Sequence, residues 1–90
     1  MGIMAVKIKV MPSSLDTDLE KIKDLIKKSL DAAQGKNPKF ETENIAFGLK
    51  ALIVTFGWPE DKELEVFENK LKSIEGLSSV ETLDLRRAIG

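Results

Sequence analysis

A strand–helix–strand–strand–helix–strand order predicts an α+β chain of the ferredoxin-like type, a four-stranded antiparallel sheet with two helices on one face. Three observations carry this expectation. The opening segment alternates apolar and polar residues with a period of two. Two later segments carry apolar stripes at spacings of three and four. Between them lies a run that is apolar on both sides, as in the middle of a sheet. Each helix then links two strands, so each unit is expected to cross over right-handed.

The first strand covers Met4 to Met11. Met4, Val6, Ile8 and Val10 share one face and Ala5, Lys7 and Lys9 the other; Pro12-Ser13-Ser14 ends it. The first helix follows, with a stripe of Leu15, Leu19, Ile22, Ile26 and Leu30. Thr17-Asp18-Leu19-Glu20 has capping-box spacing, with Asp16 as the alternative cap. Acids at its start and Lys27-Lys28 near its end suit the helix dipole. Gly35 is the expected stop, before Asn37-Pro38.

Phe40 to Phe47 reads as a second strand with a poorly marked buried face, which suits a sheet edge. Gly48 marks a turn. Leu49 to Phe56 is the doubly apolar strand of the sheet interior, broken by Trp58-Pro59. Asp61 is the expected cap of the second helix, whose stripe is Leu64, Phe67, Leu71 and Ile74 and whose stop is Gly76. Val80 to Leu85 forms a last strand whose alternation slips near Thr82-Leu83, leaving the direction of Arg86 and Arg87 open. One sheet face is expected to stay uncovered, with Lys7, Lys9, Ala51, Ile53 and Thr55 on it.

Residues 1–90 are expected to form one domain, at 10.0 kDa with 42% apolar and 32% charged residues, a globular balance. No apolar run approaches the ~20 residues of a membrane span, and the start lacks the pattern of a leader, so a cytoplasmic protein is expected. Cysteine and histidine are absent, which removes disulfides, thiolate or imidazole metal sites, thiol nucleophiles and imidazole bases. The scattered glycines build no phosphate loop. A net charge of −1 gives no basic field for nucleic acid. The expectation is a non-enzyme that holds no cofactor.

Asp16 and Asp18 read as caps rather than metal ligands, and Glu60, Asp61, Glu63 and Glu65 as a solvated helix face. RNA-recognition domains of this fold class stack bases on aromatics of the central strands; here the first strand has none and Ala51, Ile53 and Thr55 offer no platform. The Asn44-to-Lys50 turn has two readings. Its aromatic covers a core edge beside a positive-φ glycine, or it stands out as an anchor for a protein partner. Arg86-Arg87, the only arginines, are solvated charge or a cationic tip for a phosphate or carboxylate.

Ile45-Ala46-Phe47-Gly48-Leu49-Lys50-Ala51-Leu52, the Ile74-Glu75-Gly76 stop and Leu85-Arg86-Arg87 together resemble the archaeal elongation factor 1-beta family. The resemblance extends to Ile8-Lys9-Val10-Met11-Pro12 and Asp16-Thr17-Asp18-Leu19, nearly the whole chain. It implies the ferredoxin-like fold and a single guanine nucleotide exchange domain acting on the GTPase elongation factor 1-alpha. It further implies Phe47 and Gly48, with Lys50 beside them, as the turn that docks on the GTPase. Arg87, with Arg86, would reach its magnesium and phosphate site. Arginine stands where the eukaryotic relatives carry lysine, and is followed by Ala88-Ile89-Gly90; their N-terminal targeting module and acidic linker are not expected. The alternative is a module of the same fold that binds RNA or a small effector, or one that self-associates through the open sheet face.

Overall fold

The computed structural model describes residues 2–88; the expectations for Ile89 and Gly90 fall outside them. Its elements are β1 (Ile3–Pro12), α1 (Leu19–Ala32), β2 (Lys36–Asn44), a short 3-10 turn (Ala46–Gly48), β3 (Lys50–Pro59), α2 (Leu64–Lys72) and β4 (Leu77–Ala88). The strands form one antiparallel sheet in the order β2-β3-β1-β4, the ferredoxin-like topology. β2 lies at an edge, where its polar sequence belongs. β3 lies inside, which explains why its sequence is apolar on both sides.

Alternation places Val6, Ile8 and Val10 of β1 and Leu52, Val54, Phe56 and Trp58 of β3 on one face. Ile22, Ile26 and Leu30 of α1 and Phe67 and Leu71 of α2 pack onto that same face, so both helices lie on one side. Phe56, Trp58 and Phe67 form an aromatic knot with ring centroids 5.1 to 6.0 Å apart. The Trp58 indole Nε1 donates to the Lys62 carbonyl at 3.0 Å, so the buried ring keeps a hydrogen bond. Phe40 ties the edge strand to α1, with the ammonium groups of Lys23 and Lys27 each 5.6 Å from its ring centroid.

The boundaries depart from the sequence reading where backbone geometry decides them. α1 is capped by Asp18, whose Oδ1 accepts from the Glu20 and Lys21 amides; neither Thr17 nor Asp16 caps it. Leu15 therefore lies ahead of the helix. The stop is not Gly35 but Gln34, at φ 67, in a Schellman motif. The Gly35 amide donates to the Leu30 carbonyl and the Gln34 amide to that of Asp31. β2 starts earlier and ends earlier than expected, because Lys36 already pairs with Gly57 while Ala46 to Gly48 leave the ladder for the turn.

Trp58 and Pro59 do not break the chain but finish β3, where only β1 still runs alongside and a proline is tolerated. Glu63, not Asp61, takes the cap position of α2, without a side-chain hydrogen bond. β4 extends to both sides of the expected segment. Its slip at Thr82-Leu83 is a β-bulge: Lys7 pairs with Asp84 and Ile8 with Thr82, leaving Leu83 extra.

The uncovered face also departs from expectation. Ala51 is fully buried and Ile53 is 7% exposed. The Lys9 ammonium on β1 meets the Glu43 carboxylate on β2 at 3.5 Å, and register carries that pair diagonally over β3 between these two residues. Long side chains from the flanking strands thus cover the apolar centre with their stems.

Candidate functional site

The β2–β3 connection is built to expose one ring. The Ile45 amide donates to the Leu49 carbonyl at 2.7 Å, and the Leu49 amide to the Ala46 carbonyl at 3.4 Å. The three residues between them turn by adopting left-handed backbone twice, at Phe47 (φ 64) and Gly48 (φ 77). Glycine takes this conformation freely, whereas a phenylalanine there carries roughly 1–2 kcal/mol of strain. Phe47 is 92% exposed, so its ring covers no core edge. A strained, solvated aromatic on a hydrogen-bonded tip buries almost no surface within the fold, which makes this the first candidate for function. Lys50, also exposed, opens β3 beside it.

The sequence reading missed a neighbour of this tip. Leu15 is 68% exposed and its side chain lies over Gly48, where a β-carbon would sit 3.6 Å from Leu15 Cδ2. The signal was available: with Asp18 as cap, Ile22, Ile26 and Leu30 make the buried stripe with Leu19 half-buried at its start, and Leu15 lies outside the helix.

Arg86 and Arg87 stand at the other end of the sheet, opposite Ala5 and Met4. Met4 in turn pairs with Trp58 on β3, eight residue steps from Lys50 at about 3.3 Å each, or about 25 Å. The two candidate regions therefore lie near opposite ends of a body measuring 42 × 21 × 18 Å. Neither arginine is a bare cation. Arg86 Nε donates to Asp84 Oδ2 at 2.9 Å, and Arg87 Nε to Glu60 Oε1 at 2.6 Å. Glu60 is held from behind, its amide donating to the Gly2 carbonyl at 3.1 Å. Arg87 remains 80% exposed in this pairing, so most of its guanidinium faces water. Glu60 was invisible as a partner in sequence, since it meets Arg87 only through the β3–β1–β4 register, whereas Asp84 lies two residues before Arg86 on the same strand.

Other chemistry finds little support. Among the described residues no group of three or more carboxylates converges to hold a metal ion. No helix of the described residues is long and apolar enough to cross a membrane. The uncovered sheet face presents Lys7, Lys9, Thr55 and Leu83 with the acids of β2, and no aromatic ring.

Comparison with known proteins bears on this arrangement. In solved structures, the fold is similar to the ACT domain from GTP pyrophosphokinase of Chlorobium tepidum, with a TM-score of 0.64 and 14% identity over 92% of this chain and all of that one. It is also similar to BlrP1 BLUF, with a TM-score of 0.60 and 16% identity over 98% of this chain and 56% of that one. At such identities the likeness is one of fold alone. In sequence the chain is similar to proteins named elongation factor 1-beta. It is 41% identical to that of Methanosarcina barkeri over 97% of this chain and 99% of the relative. It is 42% identical to that of Methanothermobacter thermautotrophicus over 97% and 98%, and 39% identical to that of Staphylothermus marinus over 97% and 98%. Residues 5–88 match the EF-1 guanine nucleotide exchange domain. A fold that reproduces the expected topology, a match over almost every described residue and full-length relatives near 40% identity agree, and the chain belongs to the EF-1 guanine nucleotide exchange domain family, with a role in nucleotide exchange during translation elongation.

Proposed function

We propose that this protein accelerates the loss of GDP from elongation factor 1-alpha, docking through the Phe47-Gly48 tip and Lys50 and perturbing the magnesium and phosphate region through Arg86 and Arg87. The observation that carries the reading is Phe47, 92% exposed and held out on a left-handed backbone. An aromatic presented by a rigid loop loses little conformational entropy on docking, and buried aromatics dominate interface energies. Gly48 allows the loop its second left-handed residue. Lys50 supplies a cation at the tip's base.

Arg87 carries the electrostatic part. Its guanidinium is lightly held by Glu60 and largely solvated, so it can exchange that carboxylate for an anionic group on the GTPase. Magnesium neutralises a bound diphosphate and helps hold switch loops. A protein cation brought to that region, with the loops displaced, removes those contacts. By linkage, the factor then binds the empty GTPase more tightly than the loaded one, by the factor through which it weakens GDP binding. Each ~1.4 kcal/mol of weakening lowers GDP affinity tenfold. With about 25 Å between the two regions, the tip and the arginine end grip the GTPase at two separate points.

Stopped-flow release of fluorescent GDP from elongation factor 1-alpha tests the reading. Acceleration at micromolar protein is expected. Phe47→Ala is expected to raise the half-saturating concentration at least tenfold, the scale of losing one aromatic anchor. A release rate that does not respond to the protein overturns the proposal.

A further inference from the structure

We propose that Leu15 is a second apolar anchor for the same GTPase, and that the β1–α1 loop and the β2–β3 tip form one composite docking surface. The inference rests on the exchange reading above, because that reading supplies the partner.

Four observations lead here. Leu15 and Phe47 belong to a small set of large apolar side chains exposed on the surface, and Leu15 lies against Gly48, the residue after Phe47, from a separate loop of the sequence. Leu15 is in no helix and packs in no core. It cannot be excused as the outer edge of an amphipathic stripe, since Asp18 starts the helix three residues later.

The loop that carries it is braced rather than slack. The Ser13 amide donates to the Gly76 carbonyl at 2.8 Å, and Thr17 Oγ1 donates to the same oxygen at 3.3 Å. The Thr17 amide closes the turn on the Ser14 carbonyl at 3.3 Å. Leu15 thus projects from a fixed turn, as Phe47 does, and both anchors are presented with little ordering left to do on binding.

Between the loops lies a recess of about 220 Å³ of mixed character, where Leu15, Leu19 and Leu49 stand beside Ser14, Thr17 and Lys50. Leu15 lines this recess and Phe47 adjoins it through Gly48, so two projecting apolar groups stand at one edge of the surface. Central, well-packed anchors of this kind carry most of an interface's affinity. The occupant that fits is a protein surface with an apolar patch to cover Leu15 and Phe47 and an acidic group near Lys50. Continuity with Phe47 makes it the GTPase: Leu15 lies against Gly48, the next residue to Phe47, so a partner docked on the aromatic tip reaches Leu15.

The experiment compares variants in the GDP-release assay. Leu15→Ala is expected to raise the half-saturating concentration roughly tenfold, the change for losing most of one buried leucine contact, and to leave the plateau rate unchanged. Leu15→Met is expected to restore most of it. Val66→Ala, which trims another exposed apolar residue on α2, is expected to behave as wild type. Because Leu15 is solvated, thermal unfolding of Leu15→Ala is expected to match wild type. Wild-type acceleration with an unaltered Leu15→Ala titration overturns this inference and leaves the exchange reading standing. Equal losses in Leu15→Ala and Val66→Ala overturn it also. Absence of acceleration by the wild-type protein overturns the exchange reading, and the composite surface with it.

Discussion

At Glu60 and Arg87 one ion pair joins a charge held by the fold to one that we propose acts on the GTPase. Their 2.6 Å contact joins a half-buried carboxylate to a guanidinium that is mostly in water. Exposed ion pairs of this sort contribute about 0.2–1 kcal/mol to stability. Glu60→Gln is therefore expected to shift a urea unfolding midpoint only slightly. Its effect on exchange should run the other way. With Arg87 released from its own carboxylate, the half-saturating concentration for GDP release is expected to fall about two- to fivefold. The gain should vanish when Arg87→Ala is added. A Glu60→Gln variant that exchanges more slowly would mean that Glu60 holds Arg87 in its working position instead of competing for it.

Helix and strand ends show where local chemistry chose between alternatives the sequence left open. Three oxygens could have capped α1, at Asp16, Thr17 and Asp18. Asp18 won because Thr17 is engaged 59 residues away, at the Gly76 carbonyl. At the other end, Gly35 carried the glycine signal but Gln34 took the left-handed position, since Gly35 is used for its small size. A β-carbon at Gly35 would sit 2.4 Å from Leu30 Cδ2. Gln34→Gly is accordingly expected to stabilise the protein by about 0.5–1 kcal/mol, relieving left-handed strain net of glycine's greater backbone entropy. Chemical denaturation measures this directly, and a destabilised variant would show that the Gln34 side chain supports the fold. The bulge at Leu83 belongs to the same scale. The slip in alternation was visible, but only the pairing of Lys7 with Asp84 and Ile8 with Thr82 shows how the strand absorbs it.

For the whole molecule, the residues that hold the fold and the residues proposed to dock occupy different places. The core is a single layer between the sheet and two helices, centred on residues such as Ile8, Ile26, Val54, Phe67 and Leu71. In a domain of this size one such side chain is a large share of the total stability. Ile26→Ala is expected to remove about 2–5 kcal/mol. The lone tryptophan reports it: Trp58 is buried in the folded state, so its emission follows unfolding. The docking candidates lie outside that core, at the two ends of the sheet. Truncating Phe47 or Leu15 should leave the unfolding transition in place while exchange weakens, and truncating Ile26 should do the reverse.

The topology follows from patterns along the chain. Period-two and period-3.6 apolar patterns set which residues face inward, and a chain with two such helices between four such strands has few ways to bury them. The family resemblance was likewise legible, because the Ala46-Phe47-Gly48-Leu49 turn is contiguous. The tertiary structure alone decided what depends on distant residues meeting. It set Leu15 over Gly48, joined Arg87 to Glu60 through three strands, covered Ala51 and Ile53 with the Lys9–Glu43 pair, and put the aromatic tip and the arginine end at opposite ends of the sheet. Local patterning fixes the direction of a side chain relative to its own element. Which neighbours it finds is fixed by strand register and loop packing, long-range properties that no window of sequence contains.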